Sequence, residues 1–382
     1  MSSTPPDPFD PGEESRQAGL TRGETFAPAG AVRTLRQGDL EAGFLGAEDA
    51  EEHLGPHGPV QARGYWESIW LRLRTDRLAI AGGVFIVVLF LVAFIGAPLA
   101  EHLLGHGPND INPIPGPGGG IDDQLLPVTP WTYVNHLFDD GTVESQLYIL
   151  GASDTAGRDE FLRLLKGAQV SLEVGVGATA ISMFIGLVLG SMAGFFRGTI
   201  DTVISRMTEI TMAFPYLLFV IALASTVGTR FNKITLGFLA DGVLTLIVVF
   251  GLFGWFYSAR VFRGITLSLR EKEFVEAARM IGASDVRIVR SHIFPHLVGP
   301  LIVFSTLSVA GFILAEAGLS FLGLGVPLPT ASWGSLLADA PNFYLTRPLL
   351  LLWPGLALVC TTLAFNLLGD GLRDAMDPRS SR

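Results

Sequence analysis

Residues 78–100 contain no Asp, Glu, Lys or Arg, and a run of that length exceeds the roughly 20 apolar residues a helix needs to cross about 30 Å of hydrocarbon. Within hydrocarbon the backbone amides must be satisfied inside the segment, so such a run folds as a helix. Five further apolar stretches follow, at about 175–196, 204–227, 242–257, 300–322 and 349–368. The chain therefore reads as an all-α membrane protein with six transmembrane helices. Hydrophobic residues at 49% and charged residues at 16% fit a bilayer better than water.

Charge matters here through its placement. Residues 1–60 hold eleven acidic side chains against four arginines, so most of the net charge of −10 resides in an N-terminal extension. Rich in Pro, Gly, Glu and Asp, residues 1–64 are expected to be a disordered acidic tail. Nucleic-acid binding has no support. No basic start followed by an apolar core marks a signal peptide. Cys360 is the single cysteine, so an intramolecular disulfide is impossible, and in its apolar run it reads as a small hydrophobe.

Residues 65–100 make an amphipathic lead-in followed by the first span, with Trp66, Trp70, Arg72, Arg74 and Arg77 at headgroup level. Residues 101–168 form a long Pro- and Gly-rich connection on the outer side. His102, His106 and His136 lack metal-ligand spacing and are expected to be solvated. Residues 169–370 carry the other five spans. Gly186, Gly190 and Gly194 mark a close helix–helix contact, Pro215 interrupts the third span, and Trp333 and Trp353 suit an interfacial belt. Arg260, Arg263, Arg270, Lys272, Arg279, Arg287 and Arg290 put the loop 263–298 on the inside, against Arg230 and Lys233 in an outer turn. Six crossings then leave both termini, including the tail 371–382, in the cytosol of a multi-pass protein of the cytoplasmic membrane.

The polar segment 271–295 is the device between two spans. Phe274, Ala278 and Ile281 form a helical stripe closed by Gly282 as a left-handed stop. Ser284 is the expected N-cap of a second short helix with the stripe Val286, Val289 and Ile293, which Pro295 breaks. Two helices this short need a packing partner, either the ends of their own spans or a separate protein.

Glu276-Ala277-Ala278, Gly282, Asp285 and Pro295, spaced as they are between two spans, resemble the cytoplasmic loop signature of ABC importer permeases. The runs 313–325 and 364–378 are similar to the dipeptide, oligopeptide and nickel branch, and Asp154, Gly157, Arg158 and Asp159 resemble its Asp-x-x-Gly-Arg-Asp stretch before the second span. The resemblance covers roughly residues 65–380. It implies a type I permease bundle whose cytosolic coupling helices dock on separate ATPases. The implied partners are a homologous second permease, two ABC ATPase subunits and an extracytoplasmic substrate-binding protein. The implied cargo is di- or oligopeptides; nickel, another small solute, or a lone ion-gradient-driven carrier are the alternatives. By the resemblance Glu276 pairs with a basic or amide group, either on the ATPase or within its own loop; its own residues equally suit a helix-dipole contact.

Glu209 and Glu316 lie within apolar spans, where acidic groups line a pathway or pair between helices; pairing is the expectation for both. Enzymatic chemistry is not expected. Lys166, Lys233 and Lys272 each follow a residue other than Gly, so no phosphate-cradling Gly-Lys-Ser/Thr loop is present. The chain needs no cofactor of its own, and any ATP is used by partner subunits. His292 and His296 stand at i, i+4 with Pro295 between them and no Glu to act as a base, which argues against a zinc site.

Overall fold

The computed structural model describes residues 65–137, 143–227 and 242–377. The expected disordered tail 1–64, Arg230, Lys233 and the last five residues lie outside them. Helix α1 (Tyr65–Leu73) is the lead-in. Asp76 then caps α2 (Arg77–Leu91), its side chain accepting from the amides of Leu78 and Ala79 at 2.9 and 3.2 Å. A π-helical turn at Val92–Gly96 joins α2 to α3 (Ala97–Leu104), making one apolar rod. Beyond it, β1 (Thr132–Leu137) and β2 (Val143–Tyr148) pair antiparallel, with Thr132 opposite Tyr148.

The remaining elements are α4 (Glu160–Phe195), α5 (Thr199–Ala213), α6 (Tyr216–Val227), α7 (Val243–Arg270), α8 (Glu273–Met280) and α9 (Asp285–Ile288). A second π turn, Val289–Ile293, leads into α10 (Phe294–Phe321), followed by α11 (Trp333–Asp339) and α12 (Leu349–Met376). Among the described residues five helices are long and apolar enough to cross a membrane: 77–104, 160–195, 243–270, 285–321 and 349–376. The expected third span is instead two shorter helices, α5 and α6, separated at Phe214-Pro215, because Pro215 cannot donate into the preceding turn.

Helix α4 is the central post. One flank packs Val170, Val174 and Ala178 against Val243, Leu246, Ile247 and Phe250 of α7. The other sets Ala168 and Leu172 among Ile86 and Ala93, Val309 and Ile313 of α10, and Phe365 of α12. Gly190 shows why the glycine stripe exists: a Cβ there would collide with the Ala259 carbonyl, and one at Gly194 would come 2.7 Å from that of Arg263. Small residues let α4 and α7 pack backbone to backbone.

One helix boundary and one tryptophan differ from the expectations. Helix α4 begins at Glu160, well before residue 175, because Asp159 caps it by accepting from Leu162 N at 3.0 Å; 160–168 is therefore helix rather than loop. Trp333 is 1% exposed and donates from its indole to the Leu164 carbonyl at 3.1 Å, so it is a core residue and not part of an interfacial belt. Its position at the start of α11, pressed onto α4, removes it from the surface.

Candidate functional site

Helix α7 ends at Arg270, and the chain turns into the 271–295 loop. Glu273 and Glu276 occupy the first turn of α8 and Arg279 its last, each charge opposite to the nearby pole of the helix dipole. Gly282 follows at φ +81°, donating to the Arg279 carbonyl at 2.9 Å, while Ala283 N reaches the Ala278 carbonyl at 3.0 Å. Only a residue without Cβ adopts that left-handed turn cheaply. Ser284 then takes the extended conformation of an N-cap, although its side chain makes no capping bond.

The stripes are shifted from those read in the sequence. Val275, Ala278, Ile288 and Ile293 are buried against Met183, Leu187 and Phe195 of α4, Phe262 of α7 and Leu297. Val289 is only partly buried there, and Phe274, Ile281 and Val286 are exposed. A one-residue phase error in helices this short rotates the inferred face by about 100°. Pro295 does not break the second helix either. It sits in the first turn of α10, where a missing amide costs nothing, and the π turn 289–293 carries the helix through from 285 to 321.

The loop encloses an open polar cavity of about 640 Å³ lined by Phe195, Phe196, Arg197, Arg270, Glu271, Glu276, Arg279 and Asp285. Its walls are fixed from below. Arg270, nearly buried, donates to the Phe195 carbonyl at 3.0 Å and the Gly194 carbonyl at 3.3 Å at the end of α4. Arg197 bonds Glu271 at 2.7 Å, and the Arg279 guanidinium lies 5.5 Å over the Phe195 ring. Glu276 and Asp285 have no ion pair among the described residues. Met280, Ile281 and Val286, at 83, 85 and 73% exposed, stand outward beside them. The arrangement combines a buried base, an apolar rim and two carboxylates without an ion pair among the described residues.

Glu209 and Glu316, the two acidic residues read within apolar stretches, both have partners. Glu209 bonds Arg206 on its own helix at 2.6 Å, and the pair is exposed. Glu316 is fully buried and joins two helices, accepting from Ser171 Oγ of α4 at 2.8 Å and from Ser320 Oγ at 2.6 Å.

At the opposite end of the bundle, Asp154 accepts from Arg158 Nε at 2.7 Å, and Gly157, in the turn between them, takes φ +69°. Asp159 caps α4 with one oxygen and accepts from His106 Nε2 at 2.9 Å with the other. The expectation of solvated histidines fails here for His106 and His136, which are buried in a stack with Tyr148. The hairpin folds back on the loop and shuts out water. Burial disfavours the charged His106, but the bond to Asp159 and its charge outweigh that and hold the imidazole above its usual range; burial and the neighbouring His106 push His136 down. The Tyr148 hydroxyl, raised by burial, donates to the Gly157 carbonyl at 3.0 Å. This cluster is drawn from segments up to 53 residues apart, so no local spacing announces it. His102 is exposed.

Residues 186–382 match the family described as binding-protein-dependent transport system inner membrane component, and residues 64–114 match the N-terminal transmembrane domain of oligopeptide transport permease C. A glutathione transport system permease protein of Pectobacterium atrosepticum is 33% identical over 82% of this chain and 91% of its own length. A dipeptide transport system permease protein of Bacillus subtilis is 35% identical over 83% and 87%. An oligopeptide transport system permease protein of Escherichia coli is 35% identical over 84% and 93%.

Proposed function

Because this chain belongs to the binding-protein-dependent transport system inner membrane components, we propose that it is the membrane-spanning subunit of an ATP-driven importer of di- or oligopeptides. It is a transport subunit and not an enzyme by itself. In this reading α5 and α6 together make a sixth crossing, the loop 263–298 and both termini are cytosolic, and the loop couples the bundle to two ATPases that use the ATP. A homologous second permease completes the channel, and an extracytoplasmic binding protein delivers cargo.

The observation that carries the reading is the two-sidedness of the 271–295 loop. Its inner stripe is locked onto the ends of α4 and α7, while Met280, Ile281 and Val286 stay exposed beside Glu276 and Asp285. A cleft that took up those apolar side chains and paired the carboxylates would push on two long helices at once. Exposed apolar groups rimmed by charge mark a protein-binding surface rather than a solvated turn.

The test is substrate-stimulated ATP hydrolysis by the whole complex in vesicles. Gly282→Val forces a β-branched residue into a left-handed turn at a site where nothing lies within 4 Å of the new Cβ, so its effect is on the turn itself. The substrate-stimulated rate is expected to fall at least tenfold with the amount of subunit in the membrane unchanged; full stimulation would exclude the loop from coupling.

A further inference from the structure

Helix α5 stops at Ala213 and α6 starts at Tyr216, with Phe214 extended and Pro215 between them. Contacts with α7 fix the depth of this break. The Phe219 ring lies 4.5 Å, centre to centre, from that of Phe253, and Tyr216 meets Phe250 and Phe256 at 6.5 and 6.0 Å. Beside Phe253, a Cβ at Gly254 would stand 3.3 Å from the Ser182 hydroxyl of α4. From Ser182 to the end of α4 at Phe195 is about 20 Å of helix. Along α7 no charge occurs between Val243 and Arg260, and Arg260 is about 10 Å from Phe253. Both α4 and α7 are long and apolar enough to cross about 30 Å of hydrocarbon, so the break stands within the apolar layer.

A helix that stops leaves its last carbonyls without amides, and the next helix begins with amides lacking acceptors. Phe219 N on the Pro215 carbonyl at 3.1 Å is the first bond of α6. Ala213, Phe214 and Pro215 are exposed, Phe214 to 59%. The Thr211 hydroxyl does not cover the break, because it donates to the Met207 carbonyl at 2.8 Å. The Tyr216 hydroxyl is buried with no partner among the described residues. Ile210, Thr211, Phe214, Tyr216, Phe219 and Phe253 line a cavity of about 200 Å³ at this point. Lipid offers these backbone groups no hydrogen bond, so exposed non-helical backbone at such depth persists only where protein covers it or water reaches it. A covering protein would have to match several carbonyls, two amides and a hydroxyl set among three phenylalanine rings. Water meets the same groups in any orientation.

We propose that the break between α5 and α6 borders the water-filled path through the assembled transporter. The backbone of residues 213–216 and the Tyr216 hydroxyl form its polar wall, and the rings of Phe214, Phe219 and Phe253 form the apolar one. Pro215 holds the wall open by withholding the amide that would continue α5. The proposal rests on the reading of the chain as a transport subunit and adds where in the bundle the solute passes.

The experiment is thiol modification in vesicles holding the complete transporter, with Cys360→Ala as the background and labelling read on this subunit after separation. The reagent is a cationic methanethiosulfonate, which reacts with thiolate, a form that requires water. Phe214→Cys is compared with Val87→Cys, which is exposed on α2 inside the charge-free run 78–100. Phe214→Cys is expected to react at least tenfold faster, and its modification to reduce ATP-driven trialanine uptake at least fivefold, with uptake by treated Val87→Cys unchanged. Ala213→Cys repeats the readout should Phe214→Cys fail to accumulate in the membrane. Rates at 213 and 214 no faster than at 87 would overturn the proposal and mean that protein or lipid covers the break. Fast modification with full uptake would also overturn it, placing the water in a crevice off the path. A parent complex without trialanine uptake would count against the peptide-import reading, and the modification rates would still decide whether water reaches the break.

Discussion

Asp159 serves two partners at once, the Leu162 amide in the first turn of α4 and the His106 ring, and its side chain is fully buried. Asn caps helices as well as Asp does, so Asp159→Asn keeps the cap and removes the charge; the expected cost is about 1.5–3 kcal/mol for a buried bond to a charged group. Since His106 is held above its usual 6.5, its stabilisation is whole below that value and fades as pH rises through the higher folded one. His136 acts in the opposite sense: its pKa is depressed, so its contribution is present above 6.5 and is lost as pH falls toward the folded value. Hydrogen exchange of amides in the 104–159 region, followed from pH 5 to 8, should show the alkaline loss in the parent and not in Asp159→Asn; equal profiles would remove the ion pair from the account. Glu316 invites a similar comparison. Glu316→Leu leaves two buried hydroxyls unpaired at about 1–3 kcal/mol each, whereas Glu316→Gln keeps an oxygen for one of them, and thermal unfolding of the solubilised protein should order the three as parent, Gln, Leu.

Among the elements, the contact of α4 with α7 and the π turn before α10 carry most of the consequences. Gly190→Val would drive side-chain atoms into the Ala259 backbone, and overpacking of that kind costs about 1–3 kcal/mol or more; reduced folded yield and a lower unfolding temperature are the expected outcome, and a stable variant would mean that α4 and α7 can move apart. The π turn Val289–Ile293 holds one residue more than an α-helical turn. Deleting Ser291 should restore α-helical pitch and rotate α8 and α9 by about 100° relative to α10. In the assembled transporter this should abolish substrate-stimulated ATP hydrolysis while the subunit still inserts. Retained stimulation would show that the phase of the loop is immaterial.

At the scale of the molecule, the packing sets which ends lie together. Helices α2 and α12 run antiparallel, with Gly82 against Ala364 and Ala79 against Gly371, and the Arg72 guanidinium bonds the Asp377 carbonyl at 2.8 Å. The lead-in helix, the end of α12 and the 271–295 loop therefore share one end of the bundle, and the hairpin and α11 share the other, where Arg347 bonds Asp122 at 2.6 Å. With Cys360 replaced by Ala, Arg74→Cys and Ala283→Cys should both react with an impermeant maleimide in inside-out vesicles and resist it in sealed cells. Opposite labelling of the two positions would contradict the packing, and labelling of both in sealed cells would reverse the proposed orientation.

Charge-free length, the glycine spacing and the polar 271–295 segment were legible without coordinates, because membrane crossing and close helix approach depend on local composition and period. Within the 271–295 loop, periodicity groups Ile281 and Val286 on apolar stripes without telling whether the chain's own spans or another protein covers them, and contacts with α4 and α7 select Val275 and Ile288 for burial. Likewise nothing local tells that Pro295 sits within a continuing helix, that Trp333 is core, or that His106 meets Asp159. Sequence fixes which segments must be helical and apolar, since those demands are met residue by residue. Which side of a short helix is buried, and which distant polar groups meet, is decided only when the long helices pack, because those contacts arise from tertiary geometry and leave no periodic trace in the chain.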